Sequence, residues 1–305
     1  MRIPFTGVGT ALITPFKHDG SVDASAVSRL ARRQMDAGVH ILVPCGTTGE
    51  APTLSVDEKR QVIELVAAEA NGRALVLAGA GGYNTKEVIH MAGVAKEAGA
   101  DGLLSVTPYY NKPTQEGLFQ HYSAIAESTD LPIIVYNVPG RTGCNVEPAT
   151  LVRLAAVKNI VGVKEASGDI AQINEICCLV PADFVVMSGD DAITLPLMAL
   201  GGHGVISVVS NQMPSEMVQL VEAFERGALD ESRHWHRTLM SLMQVNFVES
   251  NPGPVKFSMA SMGLCERVYR LPMVAPQLGA RDKILSVMRR LGLPVVAGLT
   301  KGVSL

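Results

Sequence analysis

Lys164 ends the apolar run Ile160-Val161-Gly162-Val163-Lys164-Glu165, a stretch of strand length and composition. Side chains alternate along a strand, which predicts Ile160, Gly162 and Lys164 on one face and Val161, Val163 and Glu165 on the other. Glu165 then points away from Lys164 and is not its automatic partner. An ammonium walled by apolar groups, with no fixed counter-charge, gives up its proton more readily, and the free amine attacks carbonyl carbon. These residue types point to a Schiff base. A lysine that only caps a strand and snorkels into water is the commoner use of such a position, so the rest of the chain must decide between the two.

Other chemically capable residues also follow apolar runs. Tyr136 opens Tyr136-Asn137-Val138-Pro139-Gly140-Arg141-Thr142-Gly143, and a phenol near the amine can shuttle a proton. Arg141 sits in a tight Pro-Gly-Arg-Thr-Gly turn, where a guanidinium fork can hold a carboxylate bidentately. In Gly46-Thr47-Thr48-Gly49-Glu50 the flanking glycines let backbone N–H groups close around a small carboxylate. Thr107-Pro108-Tyr109-Tyr110-Asn111, Ser188-Gly189-Asp190-Asp191 and Ile206-Ser207 end further runs. Capping of the next helix is the expected task of the acidic pair, and two carboxylates there disfavour a phosphorylated substrate. Turn threonines, packed aromatics and a surface arginine are the plain reading of each feature taken singly. Their collection at successive strand ends argues for one site.

The competitors for the imine are weaker. Lys17 follows Pro15-Phe16 in an expected exposed loop, and Lys256 lies beyond the strand-containing region. The seven histidines are scattered, with His234 and His236 two apart on a predicted helix and so on different faces. No metal-ligand spacing can be assembled from them or from the five cysteines. Adjacent Cys177 and Cys178 are poorly placed to bridge one another, and free thiols suit a reducing, cytoplasmic setting.

The elements that must position these groups can be read from periodicity. Eight strand-like runs begin near Val8, Val39, Ala74, Gly102, Leu131, Ile160, Asp183 and His203, each followed by a helical pattern. The helices are predicted over Asp23 to Ala37, Ser55 to Asn71, Asn84 to Ala98 and Thr114 to Thr129. They continue over Glu147 to Val157, Ile170 to Val180, Ala192 to Leu200 and Ser215 to Arg226. Ser55 three residues before Glu58 is a capping-box signal, and Gly38, Gly99 and Gly201 supply helix ends. Eight uninterrupted strand–helix units predict an α/β fold, a closed (β/α)8 TIM barrel, over an open doubly wound sheet. In such a barrel the chemistry lies at the carboxyl ends of the strands, where the unusual residues fall. The glycines after the third strand lack dinucleotide-binding spacing. We expect a catalytic barrel over 1–227 and a C-terminal helical domain over 228–305, with helices at Asp230 to Phe247, Pro254 to Met262 and Gly279 to Leu291. The tail from Leu293 to Leu305 has no clear period.

With 305 residues, 47% of them hydrophobic, the chain can bury one large core. A formal charge of -3 gives no electrostatic reason to expect nucleic acid or an anionic membrane surface. The first residues lack an apolar core of signal-peptide length, and no apolar run reaches bilayer length. A soluble, cytoplasmic protein is expected.

Taken together, GTTGE (46–50), PYYNKP (108–113), YNVPGRTG (136–143), VKEASGD (163–169), SGDD (188–191) and GGHGVISV (201–208) resemble the dihydrodipicolinate synthase family. Its members condense pyruvate in lysine (diaminopimelate) biosynthesis, within the wider class I aldolases that include N-acetylneuraminate lyases. The likeness continues through Asn251-Pro252-Gly253-Pro254-Val255-Lys256. It implies that Lys164 forms the imine with pyruvate and that Tyr136 is the general acid/base, with Thr47 relaying its proton toward Tyr110 of a neighbouring subunit. It further implies that Thr47 and Thr48 N–H groups bind the pyruvate carboxylate, that Arg141 takes the carboxylate of aspartate 4-semialdehyde, and that the Ile206 carbonyl borders the pyruvate carbon. No metal or organic cofactor is implied beyond the covalent imine. A homotetramer built as a dimer of dimers is the implied assembly.

The sialic-acid lyases usually carry serine at the position of Thr47 and lack arginine at that of Arg141, so the synthase is the better match. A related aldolase acting on a sugar acid or another aldehyde is the enzymatic alternative. A silent keto-acid-binding paralogue is the non-enzymatic one, against which the intact set at 47, 110, 136, 141 and 164 counts. Lysine-inhibited members have polar residues where this chain has Val56, Lys59 and Tyr83, although Glu87 and Tyr109 are compatible with such a site. The substitution implies weak or absent feedback, because Lys59 repels the ammonium of free lysine. Gly253, where a bulkier apolar residue is usual, is expected to affect packing alone.

Overall fold

The apolar runs pair as parallel strands, each returned to the sheet by a helix whose buried stripe faces it. In the structure, a computed structural model that describes residues 5–296, the strands are β1 (Gly7–Ala11), β2 (Ile41–Val43), β3 (Leu75–Gly79), β4 (Gly102–Val106), β5 (Ile133–Asn137), β6 (Ile160–Glu165), β7 (Val185–Ser188) and β8 (Gly204–Ser207). They close in sequence order, β8 pairing with β1. All eight expected strands are present, as is the expected closure.

The helices are α1 (Ala24–Asp36), α2 (Val56–Ala70), α3 (Thr85–Glu97), α4 (Gln115–Glu127), α5 (Pro139–Thr142), α6 (Pro148–Ala155), α7 (Ile170–Leu179), α8 (Thr194–Ala199), α9 (Pro214–Glu225), α10 (Leu229–Val245), α11 (Gly253–Ser261) and α12 (Leu278–Arg290). The capping box at Ser55 and Glu58 is formed, and Gly38, Gly99 and Gly201 adopt the left-handed backbone expected at helix ends. The Pro139–Thr142 segment is a single helical turn. The part of the tail beyond residue 296 lies outside the described residues, as do residues 1–4, where the opening of the leader reading falls. No helix among the described residues is long and apolar enough to cross a membrane.

Two apolar layers form the barrel's core. Inside the ring lie Phe5, Ile41, Val43, Leu77, Leu104, Ile134, Val185, Met187 and Ile206. Between ring and helices lie Val8, Leu42, Val76, Leu103, Val135, Val163, Val186 and Val205 with their helical partners. That outer layer is continuous with Leu239 and Leu242 of α10 and Ile284 and Met288 of α12, so the C-terminal helices share the barrel's core.

Strand β6 departs from simple alternation. Its register with β5 shifts between Ile133 and Ile134, so that Ile133 pairs with Ile160 but Ile134 pairs with Gly162. The extra residue exchanges the first two side chains: Ile160 packs in the outer layer and Val161 against the inner one. The expected shared face of Ile160, Gly162 and Lys164 therefore fails at Ile160, because a bulge inserts one residue without a partner. From Gly162 onward the expected alternation holds.

The C-terminal segment is fastened to α2 by Arg270. Its guanidinium reaches Glu58 Oε2 at 2.8 Å and Oε1 at 2.5 Å, and also donates to the Gly20 and Thr53 carbonyls. The hydrogen bond from Arg270 is the chief reason that the Glu58 carboxyl is held down at about 2, below its ordinary 4.5. A depressed carboxyl adds stability that is present above 4.5 and is lost as pH falls toward 2. Glu58→Gln, which can still form the capping box, is expected to cost about 1 kcal/mol at neutral pH. Chemical denaturation of both proteins as a function of pH should show that difference closing as pH falls through this window.

Candidate active site

Chain alternation places Tyr136 and Lys164 on neighbouring strands at one level. They are register partners across the β5–β6 ladder, and both side chains turn into the ring. Below Lys164 the interior is full: a Cβ on Gly162 would lie 2.5 Å from the Val185 carbonyl oxygen and 2.9 Å from Ile134 Cδ1. Above, Gly189 leaves room for the lysine stem, since a Cβ there would meet Lys164 Cε at 3.0 Å. Lys164 is thus confined from both sides and only 5% exposed. Its Nζ rests 4.2 Å from the centroid of the Tyr136 ring. Among the described residues no carboxylate forms an ion pair with it.

The outward-facing neighbours hold the strand ends. Glu165 Oε2 accepts from Asn137 Nδ2 at 3.0 Å, and Oε1 accepts from the Ser167 N–H at 2.8 Å. Burial raises the Glu165 carboxyl above its ordinary range against the pull of those hydrogen bonds. Asn137 Oδ1 also accepts from the Val146 N–H at 3.0 Å, pinning the loop that carries Arg141. The sequence pattern places Glu165 facing away from the amine, but it contains no signal for the Asn137 partnership.

Thr47 and Thr48 occupy the turn after β2. Among the described residues neither of their N–H groups donates to a protein acceptor, which leaves two donors available to an anion. Thr48 is buried, and its hydroxyl accepts from Asn251 Nδ2 at 3.0 Å. Arg141 is exposed, and its Nη2 approaches the Asn251 carbonyl at 3.5 Å. A small cavity of about 30 Å³ brings Lys164, Tyr136, Thr47, Thr48 and Arg141 together, with Phe247 and Asn251 closing it from the C-terminal helical region. Gly46, Thr47, Tyr136 and Arg141 also line a wider cavity of about 280 Å³, which extends to Lys59 and Tyr109. The first sets the amine beside the two threonine turn residues, and the second offers an approach path for a larger molecule.

Two expected site residues do not line either cavity of this chain. Ile206 is buried inside the ring and lines neither cavity; Val208, two residues on, lines the small one. Tyr110 is 90% exposed, with a left-handed φ of 66°, and also lines neither. Of the acidic pair, Asp190 caps the next turn by accepting from the Ala192 N–H at 2.9 Å. Asp191 is buried and accepts from the Ser207 hydroxyl and from the Val208 and Val209 N–H groups at 3.0 and 3.2 Å. Burial pushes its carboxyl up to about 6. Lys17 is exposed, as expected for its loop.

Phe247 and Asn251 are the site residues that motif reading missed as contributors to the cavity. The only sequence signal was the continuation of the family pattern through Asn251-Pro252. Among the described residues no three His, Cys, Asp or Glu side chains group as a metal site.

The profile of the Dihydrodipicolinate synthetase family matches residues 4–290. The 4-hydroxy-tetrahydrodipicolinate synthase of Chlorobium phaeobacteroides is 53% identical over 289 residues, covering 94% of this chain and 97% of the relative. The solved dihydrodipicolinate synthase of Aquifex aeolicus is 44% identical with a TM-score of 0.93, covering 95% of this chain and 99% of its own. A solved monomeric dihydrodipicolinate synthase variant is 46% identical, also with a TM-score of 0.93, over 95% of this chain and 97% of that one. Agreement along nearly the whole length, in sequence as well as in backbone, leaves one assignment: the chain belongs to the dihydrodipicolinate synthetase family.

Proposed function

We propose that this chain is a 4-hydroxy-tetrahydrodipicolinate synthase, joining pyruvate to L-aspartate 4-semialdehyde with loss of one water. The observation that carries this reading is a buried Lys164, without a carboxylate partner among the described residues, beside Tyr136 in a small cavity with Arg141 at its edge. The Lys164 amine adds to the keto carbon of pyruvate, and water leaves to give the imine. Loss of a methyl proton gives the enamine, whose carbon attacks the aldehyde. The amino group of the second substrate then displaces Lys164 in closing the ring, so that the enzyme is returned without a metal or organic cofactor.

In this reading the free Thr47 and Thr48 N–H groups hold the pyruvate carboxylate, and Arg141 at the rim takes that of the aldehyde. Tyr136 moves protons at the imine and the new hydroxyl, with Thr47 as relay. Ile206 would contribute through its backbone carbonyl, a role that does not require its side chain to line the cavity. Tyr110, projecting into solvent, completes the relay of a second copy in a dimer, itself paired into a tetramer. Tyr110→Phe is expected to lower kcat about tenfold. Mixing Tyr110→Phe with Lys164→Ala subunits should restore part of the activity through hybrid dimers, whereas no recovery would contradict an exchanged tyrosine.

A panel of aldehydes offered with pyruvate tests the substrate assignment. Aspartate semialdehyde is expected to give the highest kcat/KM. Preference for a sugar-derived aldehyde would favour the related aldolase, and no turnover with any of them the keto-acid-binding paralogue.

Feedback by free lysine is expected to be weak or absent. Val56 and Tyr83 are exposed, Tyr83 packs edge-on against Tyr109 with centroids 5.1 Å apart, and Lys59 is among the residues that line the wider cavity. Adding lysine to the pyruvate assay should leave turnover unchanged; inhibition would contradict this account of Lys59.

A further inference from the structure

Glu50 closes the Thr47-Thr48 turn in an unusual state. It is 2% exposed, its φ is 53°, and its N–H donates to the Thr47 carbonyl at 3.1 Å. A left-handed backbone is unfavourable at a residue other than glycine, so surrounding contacts must hold it there. They come from the far end of the chain. Glu50 Oε1 lies 2.6 Å from Nζ of Lys256, with both side chains wholly buried, and Oε2 accepts from the Arg270 N–H at 3.3 Å.

Lys256 has little freedom to move away. It stands on α11 with its Nζ 4.0 Å from the centroid of the Phe16 ring and 5.6 Å from that of Tyr269. Burial lowers its proton affinity, and the Glu50 carboxylate opposes that shift. An ion pair so enclosed is a poor source of stability, since well-packed apolar residues of the same volume serve at least as well. It does fix geometry: neither charge can withdraw without leaving the other buried and unpaired. Asn251, from the segment just before α11, meanwhile holds the Thr48 hydroxyl.

We infer that Lys256 is a positioning residue for the anion-binding turn, acting through Glu50 to set the direction of the free Thr47 and Thr48 N–H groups. This rests on the proposed capture of a keto acid by Lys164. Lys256 then serves the reaction without lining the cavity in which it takes place. Its effect should fall on carbonyl compounds that carry a carboxylate and spare those that do not.

The test is borohydride trapping at Lys164, read by peptide mass spectrometry, with pyruvate and with acetaldehyde as probes. Lys256→Met is expected to slow pyruvate capture about 10- to 100-fold while changing acetaldehyde capture less than about twofold. Glu50→Gln, which keeps the side-chain length and an acceptor for the Arg270 N–H, should show the same selectivity if Lys256→Met does not fold. Equal losses for both probes, or no loss for either, would overturn the inference while leaving the wild-type adduct intact. Failure of the wild-type protein to trap pyruvate would overturn the proposed function, and this inference with it.

Discussion

Lys164→Ala loses about 10³-fold or more in turnover and forms no borohydride-stable adduct with pyruvate. The expectation follows from what surrounds the amine. Gly162 sits over a filled interior and Gly189 against the lysine stem. The nearest chemically capable neighbour, Tyr136, cannot replace a nitrogen that must become an imine. Lys17 is exposed on its loop, and Lys256 is occupied by Glu50. The substitution should leave the fold intact, because Lys164 forms no ion pair among the described residues and its neighbours inside the ring pack against one another. A thermal melt close to wild type, together with lost turnover, is the expected pair of results. Retained turnover would mean that another group carries the chemistry.

Tyr136→Phe lowers kcat about 10²- to 10³-fold, with a much smaller change in the KM for pyruvate. The phenylalanine keeps the ring against which Nζ rests at 4.2 Å, so the position of the amine is preserved. Only the hydroxyl is lost, and with it the group proposed to move protons during dehydration, enamine formation and aldehyde addition. In the proposed reading the carboxylate still meets the Thr47 and Thr48 N–H groups, which is why binding should change little. Steady-state kinetics under saturating aldehyde separate the two parameters. A wild-type kcat would exclude the phenol from the rate-limiting proton transfer, and a loss confined to KM would make Tyr136 a binding group.

The barrel was legible because each strand is an apolar run bounded by turn residues, and the helices between them carry caps such as Ser55 with Glu58. Lys164 could be singled out from chain alternation, and its inward direction holds because β6 is regular from Gly162 onward. Alternation failed at Ile160 and Val161 because a bulge depends on the partner strand, whose register no local pattern reports. Asp191 reads as a mouth residue from its place after β7, yet it is buried and bonded to the turn after β8. The pair Glu50–Lys256 joins residues 206 positions apart. Each residue was visible in its own motif, but nothing local in either says that the two meet. Phe247 and Asn251 likewise reach the cavity from a region that periodicity assigns only to helices and their connections.

Covalent capture at Lys164 is the claim on which the account turns. Reducing the wild-type protein with borohydride in the presence of pyruvate, then sequencing its peptides by mass spectrometry, tests it most directly. A single carboxyethyl group on the side-chain nitrogen of Lys164 is predicted. A modification confined to Lys17, Lys256 or any other lysine, or none at all, would contradict it.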